Sequence, residues 1–350
     1  MANQSIGTPR FYVDFTQLAK IKGDYVWNED LQDSNNLEFE GLGESASKVW
    51  DFDLYDVQSF NTTNDVVSWS FHINPESSIS RLMSLSNWFG MFNHRLASNI
   101  PDGETNILLS FVPQEGTPTP IYPSDFSSSY NMDYIEKNGY SLAEFNSPSL
   151  DSPLDRFNVV LTSPSQTMAN NILEIGCFGF GRYYDMPNSP DLSVKKSIEY
   201  DGVNIQRTLG GGDYVQIDNF GTPDWISGES WALVHPDESN SRIGKHGRRS
   251  WQLTFSYISN DDLFFDTNRL NSFGDLDFAQ GTANNYVSAG SEIQQIFDLT
   301  MCGGLSFIFT PDKDATNPEF AQCRLDQSSL SATQVAYQTW NISMNIVEVL

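Results

Sequence analysis

Apolar and polar residues alternate strictly over residues 251–258, and this pattern predicts a β-strand. Every second position carries a large apolar side chain: Trp251, Leu253, Phe255 and Tyr257. Successive side chains of a strand point to opposite faces of a sheet, so these four are expected to share one buried face. The strand follows the most basic stretch of a chain that is otherwise very acidic.

Further strands are predicted along most of the chain. Alternation marks three of them, at 67–73, 305–309 and 340–346. Mostly apolar runs mark four others, at 88–96, 107–112, 157–161 and 172–175. Two short helices are predicted, one at 15–21 before Gly23 and one at 292–300. Residues 76–87 are ambiguous, because Ile79, Leu82 and Met83 have helical spacing but serine is frequent there. Many strands with little helix are typical of an all-β protein.

The segments between these strands contain two turn signals and one long polar stretch. Asp201-Gly202 predicts a hairpin over residues 198–209, and the glycines of 210–212 predict a flexible turn after it. Residues 113–156 are rich in Pro, Ser, Asp and Tyr and are predicted to form one long loop. A loop of that length in a compact domain is functional or contacts a neighbouring molecule.

Length and proline placement predict two domains. A chain of 350 residues is long enough for two domains of roughly 100–200 residues each. Two prolines stand close together in the segment 186–190, after a long apolar strand, and mark the expected boundary. The expected fold class is all-β, with two β-sandwich domains, long loops and little helix. The domains are expected to span residues 1–187 and 188–350.

The charge of the chain narrows its possible partners. It carries 45 acidic and 19 basic residues, a net charge of -26. Such a surface repels nucleic acid at long range and keeps a crowded assembly in solution, so direct nucleic-acid binding is not expected. No apolar run approaches the roughly 18 residues of a membrane span, and the first residues show no secretory signal. The chain is therefore expected to be made in a cytoplasm and not to enter a membrane.

No sequence motif predicts catalysis, a cofactor or a metal ion. The four histidines form no metalloenzyme pattern, and the glycines of 176–181 lack the spacing of a dinucleotide-binding loop. Those glycines are predicted to let aromatic neighbours pack closely. The segment 312–314 begins like a calcium loop but lacks the later glycine and glutamate. A Ser-His-Asp site stays open because its members need not be close in sequence, but the chain is not expected to be an enzyme.

The three cysteines are predicted to be buried free thiols. Cys177, Cys302 and Cys323 make an odd number and have no metal-ligand spacing. Cys177 lies in an apolar run, and Cys302 precedes a Gly-Gly turn. Thiols in such surroundings behave as small apolar side chains rather than as reactive groups.

Four basic residues gather in the segment 242–249: Arg242, Lys245, Arg248 and Arg249. One interpretation is that they balance charge locally in a very acidic chain. The other is that they form an interface which docks on an acidic surface of a neighbouring subunit, where paired Arg–carboxylate hydrogen bonds would fix the register. The sequence favours neither interpretation.

Several separated stretches resemble a family of virion proteins from marine tailed bacteriophages. Residues 7–14 (GTPRFYVD) resemble the opening of the family. Residues 87–98 (NWFGMFNHRLAS) are similar to a strand and turn in galactose-binding-like jelly rolls of phage structural proteins, although His94 and Arg95 depart from the Asn-rich turn. Residues 181–193 (GRYYDMPNSPDLS) resemble the junction between the two domains of the family.

The C-terminal half resembles distal-tail proteins, which form rings at the tip of a phage tail. The stretches that carry this resemblance are 247–251 (GRRSW), 306–312 (SFIFTPD) and 335–349 (VAYQTWNISMNIVEV). The resemblance implies an N-terminal jelly roll preceded by an extension, and a C-terminal tail-assembly module. It implies a structural protein of the virion tail that assembles as a homo-oligomeric ring with other phage tail proteins. The long loop, the basic segment and the N-terminal arm are the interface candidates.

A host-receptor or carbohydrate-binding module of the virion is the alternative function. The jelly-roll resemblance motivates it, because aromatic side chains can stack on sugar faces. The candidates for binding a host surface glycan lie in the predicted long loop: Tyr122, Tyr130, Tyr134 and Tyr140. A glycan hydrolase that uses two carboxylates is a third reading, and no spacing in the sequence selects its pair.

Overall fold

The computed structural model describes about three fifths of the chain as a series of separate segments. They are residues 7–22, 49–54, 56–61, 66–75, 78–94, 106–115, 117–122, 134–135, 139–147, 150, 152–162, 172–199, 203–217, 248–264, 292–316 and 318–349. The chain divides into two compact units. The N-terminal unit comprises residues 14–183 and 271–286, and the C-terminal unit comprises residues 1–13, 184–270 and 287–350. The predicted domains 1–187 and 188–350 stay a prediction.

The described segments consist mainly of β-strands. In chain order the strands are β1 (Arg10–Asp14), β2 (Gln58–Asn61), β3 (Val66–His72), β4 (Trp88–His94), β5 (Asn106–Pro113), β6 (Thr119–Tyr122), β7 (Tyr134–Ile135), β8 (Gly139–Glu144), β9 (Leu154–Thr162), β10 (Ile172–Ile175), β11 (Cys177–Asp185), β12 (Lys195–Glu199), β13 (Val203–Arg207), β14 (Asp213–Ile217), β15 (Arg248–Ser259), β16 (Phe307–Thr310), β17 (Ala321–Leu325), β18 (Ala332–Ala336) and β19 (Thr339–Glu348). The helices are α1 (Phe15–Lys22), α2 (Ser78–Met83), α3 (Asn260–Leu263) and α4 (Glu292–Leu299). The all-β class and the two helices predicted at 15–21 and 292–300 are confirmed.

The N-terminal unit has a β-sandwich core. One antiparallel sheet has the strand order β3-β9-β5-β6, and the strands β11-β4-β8-β7 pair in that order in a second sheet. Aromatic side chains join the two layers: the ring of Phe157 on β9 stacks 3.8 Å from that of Phe180 on β11. Phe111 on β5 meets Phe180 edge to face, and Trp69 on β3 meets Phe178 in the same way. Inward aromatic side chains on both sheets therefore build this core.

The glycines of β11 allow aromatic side chains to approach the strand. A Cβ atom on Gly179 would lie 2.6 Å from the ring of Phe52 and 2.7 Å from the ring of Trp88. Both distances are far below van der Waals contact, so only glycine fits between these rings without a shift. The prediction that these glycines serve aromatic packing is confirmed at Gly179.

The prediction of one long loop over residues 113–156 is wrong. Strands β6, β7 and β8 lie inside that range, and β9 begins there. β8 pairs with β4 over most of its length, with Phe89 opposite Ala143 and Gly90 opposite Leu142. Pro, Ser and Asp are frequent in this range and disfavour strands, but pairing with other strands outweighs that local preference.

The C-terminal unit contains a sheet with the strand order β12-β15-β19-β17-β16-β1, and β18 lies beside β19. The predicted strand at 340–346 corresponds to β19, whose side chains of Ile342, Met344 and Ile346 are buried. They face the same side as Trp251 and Leu253 of β15, which are their partners or neighbours in the register. One face of this sheet is therefore apolar and buried, as the alternation predicts.

Tyr257 does not share the buried face of β15, so that part of the prediction is wrong. The pairing of β15 with β19 shifts register between Phe255 and Ile258, which is a β-bulge. Tyr257 has a φ of 62°, its backbone N–H donates to Oδ1 of Asn341, and its side chain is 75% exposed. The bulge turns Tyr257 outward and returns Ile258 to the core.

The hairpin predicted over residues 198–209 is also wrong. Strand β12, which contains Ile198, pairs with β15 rather than with β13. Strand β13 pairs with β14, so the hairpin turns about the glycines of 210–212. Gly211 has a φ of 82°, and the N–H and hydroxyl of Thr208 both donate to the carbonyl of Gly212. The glycine run is the stronger turn because it supplies the left-handed backbone that a tight turn needs.

Candidate functional site

Strand β15 separates the predicted basic cluster onto two faces of the sheet. Arg248 and Arg249 are adjacent in sequence, so their side chains point to opposite faces. Arg248 lines a groove on the polar face, whereas Arg249 lies beside Trp251 on the other face, with its guanidinium 5.6 Å from the ring centroid. Arg242 and Lys245 lie outside the described residues. The two described members of the predicted interface, Arg248 and Arg249, therefore lie on opposite faces of the sheet.

Arg249 makes an ion-pair network within its own chain. Its Nε and its backbone N–H both donate to Glu348 Oε2 at 2.9 Å, and its terminal nitrogens bond Glu348 Oε1 and Glu319 Oε1. The Glu348 side chain is only 4% exposed. Burial lowers the pKa of Arg249, but the hydrogen bonds to Glu348 and Glu319 outweigh it and raise that pKa above its ordinary value. Arg249 is therefore engaged within its own chain, and its predicted docking role stays a prediction.

Lys196 completes this network from the neighbouring strand. Its Nζ donates to both carboxylate oxygens of Glu319, at 2.9 and 2.8 Å, and lies 5.7 Å from the Trp251 ring. Burial raises the pKa of Glu319, but hydrogen bonds from Lys196 and Arg249 outweigh it, so that pKa lies below its ordinary value. Two cations and two carboxylates thus neutralise each other on this face.

The polar face of the same sheet carries a groove of about 290 Å³. Strand register aligns Ser197, Ser250, Val347 and Arg324 in one row across β12, β15, β19 and β17. A parallel row aligns Lys195, Gln252 and Asn345, and the backbone N–H of Asp326 donates to the carbonyl of Asn345. Ser250 and Val347 in the middle of the first row are short, and the longer Arg324 side chain stands at one end of that row.

Basic side chains gather along this groove. Three basic and two acidic side chains line it, namely Lys195, Arg248 and Arg324 with Glu199 and Asp326. Glu199 lies opposite Arg248 in the register. Among the described residues, neither Lys195 nor Arg324 has an ion-pair partner, and both are exposed. The groove therefore presents two available cations in a chain whose net charge is -26.

The β13–β14 hairpin is exposed over its whole described length. Every side chain from residue 204 to residue 216 is exposed, including Ile205, Leu209, Tyr214 and Val215. Ile205 lies directly opposite Val215, so the two form an apolar pair on one face of the ribbon. Its strands form a separate two-stranded sheet. An isolated hairpin with apolar side chains in water is only marginally stable, so burial of these side chains would stabilise it.

The tyrosines proposed to bind glycan occupy different elements. Tyr122 ends β6, Tyr134 begins β7 and Tyr140 lies in β8, where it pairs with Phe92 of β4 and is half-buried. Tyr130 lies outside the described residues, and so do the side chains of Tyr122 and Tyr134. The structure does not test the glycan hypothesis, which stays a prediction.

The thiols and histidines occupy structural positions. Cys177 and Cys323 are buried free thiols, as predicted, and burial raises the pKa of each. Cys302 is only half-buried, which corrects its prediction, and its thiol donates to the carbonyl of Gln327. His94 is fully buried, its Nε2 lies 2.8 Å from the Ser141 hydroxyl, and burial lowers its pKa to about 4.

Metal-ligand clusters and membrane-spanning helices are both absent from the described segments. No group of three or more His, Cys, Asp and Glu side chains there could hold a metal ion. None of the helices in these segments is long and apolar enough to cross a membrane.

No protein-family model, curated protein or solved structure matches this chain. The resemblance to bacteriophage tail proteins therefore stays a prediction from the sequence.

Proposed function

We propose that this chain is a self-assembling structural subunit and that its assembly is a ring in the tail of a bacteriophage virion. The exposed β13–β14 hairpin supports self-assembly. The sequence stretches that resemble distal-tail proteins support the place in a virion. Other tail proteins are the expected neighbours of such a ring.

The hairpin supports self-assembly because its apolar side chains are exposed in the part of the chain that the structure describes. Ile205 is 63% exposed and Tyr214 is 60% exposed, although both are large enough to stabilise a core. Residues 203–217 contain one basic and one acidic residue, Arg207 and Asp213, which lie opposite each other. A ribbon without net charge can approach another copy of this acidic chain without strong repulsion. Covering it on a neighbouring subunit removes apolar surface from water.

A paired substitution in the hairpin tests the proposal. The double variant Ile205→Ser, Val215→Ser removes the apolar pair and is expected to convert a ring-sized oligomer to smaller species. Multi-angle light scattering measures the mass in solution. The unfolding transition of the monomer should change little, because exposed side chains contribute little to its core.

The adjacent polar pair supplies the matched control. Asn204 lies opposite Gln216 on the other face of the same ribbon. The double variant Asn204→Ser, Gln216→Ser changes the same strands without removing apolar surface and is expected to keep the wild-type mass. An unchanged mass in the Ile205, Val215 variant would contradict a role of the hairpin in assembly.

A further inference from the structure

We propose that the groove on the polar face of the β12-β15-β19-β17 sheet binds an acidic segment of a second copy of this chain, with Lys195 and Arg324 as its anchoring cations. This inference rests on the proposed function, because it names the surface that one subunit offers to the next. It replaces the contiguous basic segment 242–249 as the basic side of the interface.

The availability of two cations in the groove supports this proposal. Lys196 and Arg249 are engaged with Glu319 and Glu348 on the opposite face. Lys195 and Arg324 have no such partners among the described residues, and their side chains are exposed. Carboxylates of a partner lose water when they bind beside these two cations. Charge-assisted hydrogen bonds compensate for that loss.

The geometry of the groove also supports this proposal. Arg324 stands at one end of the row that contains Ser197, Ser250 and Val347. Lys195 stands at the opposite end of the neighbouring row. The two cations therefore lie on opposite sides of a floor made of small side chains, and hydroxyl and amide groups between them can hydrogen-bond an extended segment. A volume of about 290 Å³ accommodates a few side chains rather than a whole domain.

The charge of the chain supports a second copy as the occupant of the groove. The chain carries 45 acidic residues against 19 basic ones, so most surfaces of one copy repel those of another. A second copy of the chain can approach closely where a surface attracts its acidic groups. The groove is a described surface that offers net positive charge. Complementary charge at an interface fixes register and speeds encounter.

Charge reversal in the groove tests this proposal on the full chain. Arg324→Glu and, separately, Lys195→Glu are expected to weaken assembly at least tenfold in protein concentration at low salt. Arg324→Lys keeps the charge and is expected to stay within about threefold of the wild type, since Lys lacks only the paired geometry of Arg. Light scattering over a dilution series gives the midpoint of assembly, and circular dichroism checks that each variant is folded.

Lys22→Glu is the matched control, because it makes the same change in net charge at an exposed lysine outside the groove. It is expected to shift the midpoint less than twofold. Raising salt from about 0.05 M to about 0.5 M screens the ion pairs and should weaken wild-type assembly more than that of Arg324→Glu.

The outcomes separate this inference from the proposed function. A wild-type chain that stays monomeric at every concentration would contradict both. A wild-type oligomer whose midpoint and salt dependence are unchanged in Arg324→Glu and Lys195→Glu would overturn the groove proposal alone. An equal weakening by Lys22→Glu would also overturn it, because total charge rather than the groove would then control assembly.

Discussion

At the scale of single residues, the side chain of Arg249 illustrates how one strand position determines a role. Its neighbour Arg248 faces the groove, but Arg249 reaches Glu348 and Glu319 beside Trp251. Glu348 is almost fully buried, so its charge depends on Arg249 for compensation. Loss of one partner of a buried ion pair leaves the other charge without compensation.

Arg249→Met is therefore expected to lower the free energy of unfolding by about 3 kcal/mol. Urea denaturation near neutral pH measures it. Lys196→Met is the control, because Lys196 pairs with Glu319 at a more exposed site and its removal should cost no more than about 1 kcal/mol. Equal effects of the two substitutions would contradict the special role of the buried Glu348.

His94 makes stability depend on pH. Its pKa is about 4 in the folded chain, so the buried ring stays neutral, whereas the unfolded chain binds a proton near its ordinary value of about 6.5. The unfolded state thus binds more protons between these values, and stability present above about pH 6.5 is lost as the pH falls. Between about pH 7.5 and about pH 5 the loss due to His94 is roughly 2 kcal/mol.

His94→Gln is expected to remove most of this pH dependence, although it also lowers stability at neutral pH. The measurement is the difference in unfolding free energy between the two pH values for each variant. His72→Gln is the comparison, because burial lowers the pKa of His72 as well but its side chain is only half-buried. The prediction fails if His94→Gln retains the wild-type difference.

At the scale of secondary-structure elements, the close approach of rings to β11 predicts an intolerance to side chains. Gly179→Ala should lower the unfolding free energy by about 1–3 kcal/mol, since the added methyl group would clash with Phe52 and Trp88. Gly210→Ala is the control, because a Cβ there has no heavy atom within 4 Å. Thermal or urea unfolding of both variants gives the comparison, and similar values would contradict the packing account.

Local pattern predicted many of the strands but not their partners. Alternation identified β15 and β19 because each has one buried face, and that signal lies within a few residues. It placed Ile198 in a hairpin with later residues, whereas β12 pairs with β15, about fifty residues away along the chain. Register between distant strands depends on packing that a single segment does not encode. The β-bulge at Tyr257 likewise depends on a distant residue, because the backbone N–H of Tyr257 donates to Oδ1 of Asn341.

The candidate site was predictable only in part. The sequence pointed to Arg248, because basic residues cluster around it. Lys195 and Arg324 lie on other strands and join Arg248 only through sheet register. Alternation within β12 could have placed Lys195 on one face with Ser197 and Glu199, but it could not have shown which strands lie beside it. The sequence groups Arg249 with Arg248, whereas the sheet places their side chains on opposite faces.

At the scale of the whole molecule, charge and exposed apolar surface act together. A net charge of -26 opposes association of identical chains, so an assembly needs neutral or basic contact surfaces. The hairpin supplies an apolar surface without net charge, and the groove supplies two available cations. Residues 327–338, which include exposed Tyr337, contain no charged residue and so add a further uncharged surface.

The mass of the purified wild-type chain in solution tests self-assembly most directly. Light scattering at low and at high salt is predicted to give a discrete ring-sized oligomer at low salt and smaller species at high salt. A clean monomer of 39.4 kDa under both conditions would contradict self-assembly of the chain on its own.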